Sequence, residues 1–213
     1  MVLTLQAQAV NLRDLIDKFG IQLVEDEGFF REWQDNLPEI SDLDRQLLDK
    51  VKAGYINLLN YPPLLEKVIR MAVLDPMLFI GDFYLAPFYV KGEKSVEIVS
   101  EDKGTVIRGN MDTLVLKDQF WVMVIESKKD EFSIEAGLAQ LLAYMLGNPH
   151  PDRPSYGLIN AGGSFIFVKL VKAEVPLYST SNIFGIRNLG NDLYTVLKIM
   201  KRLSQLVISS AEG

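Results

Sequence analysis

The chain has 213 residues, 48% hydrophobic and 23% charged, with a net charge of −6. That length can bury a sizeable core in one domain, or in one domain with an appendage, and the composition is that of an ordinary globular chain. There is no cysteine and a single histidine, His150, which excludes disulfides, thiolate nucleophiles and cysteine-based zinc sites and leaves carboxylates as the donors for any metal chemistry.

The N-terminal stretch lacks a basic region and soon meets Arg13 and Asp14, and no run approaches the ~18 apolar residues of a membrane span. A cytoplasmic protein with no membrane partner is expected. Leu12, Leu15, Ile16 and Phe19 stand at helical spacing, which breaks at Gly20 and resumes near Phe29, Phe30 and Trp33. Ser41 then caps a helix through Leu47, Leu48, Val51 and Tyr55, with Asp44 three residues on giving a capping box. Pro62-Pro63 opens a helix predicted from Leu64 to about Leu74. Residues 77–90, rich in Phe and Tyr and interrupted by Pro87, read as strand or irregular structure. A short strand over 94–99, a turn over 100–104 and a hairpin of 105–116 with 120–128 follow. Ser133 caps a helix to about Leu146, ended by Gly147-Asn-Pro. Tyr156 to Val171 is a pair of strands around Ala161-Gly-Gly-Ser, and 189–208 is a final amphipathic helix. The order predicts an α/β (α+β) fold: a mixed β-sheet flanked by helices over 61–213, preceded by a helical N-terminal extension over 1–60.

The hairpin carries the chemistry. Side chains two apart on a strand share a face, so Val122, Val124, Glu126 and Lys128 lie together. A hairpin turning near Asp118 sets Asp112 opposite Val124 and diagonal to Glu126, and a register shifted by two residues sets it directly opposite Glu126. A slip of one residue destroys the arrangement. Two carboxylates held this close require a cation, either Lys128 alone or a hard divalent metal with oxygen ligands and waters. The tripeptide alone says little, because acidic-x-Lys occurs a second time in the polar turn at Glu101-Asp-Lys103.

The ordered pattern Gly109-x-x-Asp112, then Glu126-Ser-Lys128, then Gln140-Leu-Leu-Ala-Tyr144 resembles the PD-(D/E)XK nuclease superfamily, and within it the N-terminal nuclease domain of type I restriction enzyme R subunits. The resemblance spans roughly residues 60–171 and implies a restriction-endonuclease-like core. It implies Asp112 and Glu126 as metal ligands, the main-chain carbonyl of Ser127 as a further one, Lys128 as the catalytic lysine, and Gln140 with Tyr144 as a supporting pair. Glu66, on the helix before the sheet, matches the family's additional metal-binding glutamate. The implied cofactor is Mg²⁺, with Mn²⁺ as its substitute, and the implied substrate is DNA. The chain departs from the family at the proline before the first acid, where Asn110-Met111 stand, and it has no phosphate loop for an ATP-driven motor.

The residues also have plainer readings. Glu126 with Lys128 is a solvated pair, Glu66 a surface helix charge, Gln140 and Tyr144 a half-exposed helix face, and His150 a loop residue. No Gly-x-Ser-x-Gly elbow accompanies His150, so a serine hydrolase is not indicated. The net charge of −6 argues against broad adhesion to nucleic acid, but eleven acidic against six basic side chains fall in the first 60 residues, which leaves a local phosphate site open elsewhere and suits a protein partner docking at the acidic extension. Two functions follow: a Mg²⁺-dependent endonuclease, or a catalytically silent relative acting as a nucleic-acid-binding or regulatory module. A homodimer is the remaining partner expectation.

Overall fold

The computed structural model describes residues 3–63, 65–100, 105–117, 120–128 and 134–211. Among these, nine strands form one mixed sheet: β1 Leu3–Gln6, β2 Gln22–Leu23, β3 Phe88–Ser100, β4 Thr105–Lys117, β5 Phe120–Lys128, β6 Ser155–Ala161, β7 Ser164–Lys172, β8 Pro176–Thr180 and β9 Phe184–Gly185. Six α-helices flank it: α1 Leu12–Phe19, α2 Asp42–Leu58, α3 Glu66–Ile69, α4 Asp75–Ile80, α5 Ile134–Leu146 and α6 Leu193–Ala211. The α/β class expected from the element order is the class observed.

The sheet runs β1-β4-β5-β6-β7-β8-β2, with β3 paired to β4 and β9 to β7. β3, β4 and β5 are antiparallel; α5 then crosses over, and β6 lies parallel to β5. Alternation along the strands divides the core into two layers. Leu114, Leu116 and Val124 pack under α5, while Val115, Met123 and Ile125 pack against α2, α4 and α6 on the other face.

Local chemistry explains several boundaries. Ser41 accepts from the Asp44 N–H at 3.1 Å and the Asp44 carboxylate accepts from the Ser41 N–H at 3.0 Å, so α2 opens on the expected capping box. α1 ends where Gly20 enters the left-handed region at φ 69°. The helix expected to stop at Leu74 instead continues to Ile80. The π-helical turn Arg70–Leu74 moves the hydrogen bonding just where Pro76, in the first turn of α4, brings no N–H. The short strand expected over 94–99 is the 13-residue β3, extended by pairing along β4 from Phe88. Phe29 to Trp33 lie in turns rather than a helix, because Phe30 is drawn into the core, stacked 6.2 Å from Tyr156. The caps expected at Ser133 and the turn at Asp118 lie outside the described residues.

The first 60 residues share the sheet and the core. β1 pairs in parallel with β4, and β2 in parallel with β8. Phe30, Leu48 and Tyr55 join one hydrophobic cluster with Val115, Phe167 and Met200. The packing therefore shows no division at residue 60.

Candidate active site

β5 sets the site. Val124 packs under α5 and Ile125 on the opposite face, so Glu126 turns to the α5 side, where it is only 1% exposed. A carboxylate so deeply buried is rare without a partner or a function.

β4 brings the second acid. Lys117 pairs with Phe120 and Leu116 with Trp121, but Val115 pairs with Met123 and Thr113 with Ile125. Val122 is therefore the extra residue of a β-bulge. One step beyond Thr113 and Ile125, the same register sets Asp112 opposite Glu126. This is the arrangement displaced by two residues from the first expectation, one residue arising from the turn and one from the bulge. Alternation also slips across Asp112 and Thr113, since Met111 and Leu114 both join the layer under α5. The ladder itself ends at Thr113 and Ile125, so the two carboxylates lie just past the last paired residues of adjacent strands.

The sheet opens beside this pair. β1 accompanies β4 only as far as Arg108, and the ladder with β5 starts at Thr113. Residues 109–112 thus border a gap on that side, and α5 covers it. The Tyr144 hydroxyl donates to the Asn110 carbonyl at 2.8 Å and accepts from Gln140 Nε2 at 2.8 Å. Both side chains are buried. Burial chiefly raises the pKa of the Tyr144 phenol, the Gln140 hydrogen bond opposes that, and the charges of Glu126 and Asp112 raise it further. The charges of both carboxylates thus reach the phenol, which sets the acidic residues and the Gln140–Tyr144 pair in one neighbourhood.

Two contributors had weak signals or none in the sequence. A Cβ on Gly109 would stand 2.5 Å from the Ala7 Cβ and 3.0 Å from the Tyr144 ring. A glycine inside a strand does flag such a close approach. Asn110 acts through its carbonyl, which no side-chain pattern reports.

The remaining expected residues divide. Ser127 and Lys128 continue β5, paired in register with Asn160 and Ala161 of β6; the Lys128 side chain lies outside the described part of the structure. Glu66 is half-buried at the first position of α3. Among the described residues no three His, Asp or Glu side chains group closely enough to hold a metal, so Glu66 is not brought to Asp112 and Glu126. Two opposed carboxylates nevertheless suit Mg²⁺, which binds through one or two carboxylates and completes its shell with waters and phosphate oxygens. No family model and no curated protein matches the chain. Among the described residues no helix is long and apolar enough to cross a membrane.

Proposed function

We propose that the protein is a divalent-metal-dependent phosphodiesterase of the PD-(D/E)XK kind, acting on DNA. The observation that carries this reading is the convergence of Asp112, buried Glu126 and the hydrogen-bonded Gln140–Tyr144 pair at one opening of the sheet. The order of antiparallel β3-β4-β5, crossover helix and parallel β6 also supports it.

Asp112, Glu126 and the Ser127 carbonyl would hold Mg²⁺. A bound metal supplies an acidified water and charge stabilisation at the scissile phosphate. Lys128 would orient the attacking water and offset charge on the phosphate. Gln140 and Tyr144 keep β4 open at Asn110, so that Asp112 and Glu126 are held facing each other before substrate arrives.

A second reading, a silent nuclease-fold module, is favoured by the net charge of −6, which opposes an extended phosphate backbone. Incubation with supercoiled plasmid and with single-stranded DNA, in Mg²⁺, Mn²⁺ or EDTA, separates the two. The enzyme reading expects metal-dependent cleavage that Asp112→Asn abolishes; binding without cleavage in either metal supports the silent module.

A further inference from the structure

The outer edge of β8 opens onto a cleft of about 480 Å³. Where the antiparallel ladder with β7 runs on past β8, the Ser181 N–H donates to the Phe167 carbonyl at 2.9 Å. Bonded and non-bonded pairs alternate along such a ladder, so Thr180, opposite Val168, turns its N–H and C=O away from β7. On that outer side β2 pairs through only two residues, and its cover ends where the Val24 N–H donates to the Tyr178 carbonyl at 2.8 Å. Thr180 therefore presents a donor and an acceptor to the cleft, the kind of strand edge on which another chain pairs.

Phe30 and Trp33 wall the cleft on the side of the layer under α6. Phe30 is buried, whereas Trp33 is half-buried and packs edge-on against Phe184, with ring centroids 6.0 Å apart. A tryptophan fixed in this way and still open to a cleft is a residue type that anchors interfaces, and its ring face attracts cations.

The charge of the lining selects the occupant. Glu25, Asp26 and Glu27 line the cleft, and among the described residues no Lys, Arg or His joins them there. Asp26 shapes the loop, its Oδ1 accepting from the Gly28 N–H at 2.6 Å. Arg31, on which Glu27 acts electrostatically, is held by Asp35 through two N–H bonds of 2.8 Å. Among the described residues no salt bridge engages the three acids, and no three acidic side chains converge closely enough to hold a metal. Carboxylates spread along a wall match several separated positive side chains rather than one ion.

We propose that this cleft docks an extended segment of a protein partner that carries lysines or arginines. Its backbone pairs with Thr180 in line with β2, and its cationic side chains meet Glu25, Asp26, Glu27 and the Trp33 ring. β8 lies three strands from β5, about 14 Å at ordinary strand spacing. The proposal therefore does not rest on the phosphodiesterase reading, and each can fail alone.

The probe is a short fluorescein-labelled peptide alternating lysine and valine. Titrated with the protein at physiological ionic strength, where loose charge attraction is screened, it should bind with a Kd of about 100 µM or tighter by fluorescence anisotropy. Glu25→Gln combined with Glu27→Gln should weaken it at least about tenfold. Asp82→Asn combined with Asp152→Asn, which removes the same charge from exposed sites elsewhere, should leave the affinity within about twofold. The same peptide N-methylated at every peptide bond keeps its charges, loses its backbone donors, and should bind at least about tenfold more weakly. No saturable binding of the peptide, equal weakening in the two double variants, or unchanged affinity of the N-methylated form would each overturn the proposal.

Discussion

The Tyr144 hydroxyl joins α5 to the open edge of β4 through the Asn110 carbonyl. Tyr144→Phe keeps the ring and leaves that carbonyl and a Gln140 N–H without their partner, so it should cost about 1–3 kcal/mol in denaturant unfolding. The change also has a pH signature. An unfolded tyrosine titrates at about 10, whereas the folded Tyr144 phenol, raised chiefly by burial, keeps its proton beyond that. Above pH 10 the folded state thus binds more protons than the unfolded one. Its contribution is fully present below pH 10 and is lost as the pH rises above it. Stability measured from pH 8 to 11 should fall above 10, and the fall should be shallower in Tyr144→Phe. Equal slopes in the two proteins would assign the alkaline loss to other groups; the Tyr156 phenol, also raised by burial, is the next candidate.

At the scale of the elements, the joint between β1, β4 and α5 depends on Gly109. Gly109→Ala forces its new methyl against Ala7 and Tyr144, and overpacking of this kind costs about 1–3 kcal/mol. Because Tyr144 is the displaced neighbour, any metal-dependent cleavage should fall with stability, whereas Gly54→Ala, in open space on α2, should leave both intact or gain slightly. Full cleavage in Gly109→Ala would mean that the Tyr144 contact does not position the acids. The same joint shows what the sequence could and could not reveal. β4, β5, α5 and the β6–β7 pair were legible because each carries its own periodicity or cap. β1, with four residues, and β9, with two, carry no signal of their own and exist through their pairing with β4 and β7. The bulge at Val122 is likewise a property of two strands together. It brings the ladder to Thr113 opposite Ile125, an offset that no residue pattern within either strand alone reports.

At the scale of the whole molecule, the acidic first 60 residues look separable in sequence but not in the fold. Leu48, Tyr55 and Phe30 fill the layer under α6, and β1 extends the sheet. Burying each such side chain contributes about 1.5–3 kcal/mol, against a total stability of only about 5–15 kcal/mol. A chain of residues 61–213 should therefore show no cooperative unfolding transition by circular dichroism. A sharp two-state transition in that fragment would restore the boundary at residue 60.

The central claim is that Asp112 and Glu126 are held together for a metal. It is tested most directly by denaturant unfolding of the wild type and Glu126→Gln, each in EDTA and in Mn²⁺. Glu126→Gln keeps the shape of the buried side chain and removes one of two crowded charges. In EDTA it should be at least as stable as the wild type. Mn²⁺ at a hundredfold excess over its dissociation constant should stabilise the wild type by about 2.7 kcal/mol and the variant by much less. A wild type whose stability is the same in EDTA and saturating Mn²⁺, together with a Glu126→Gln protein that is weaker in EDTA, would contradict the claim and make Glu126 a structural charge.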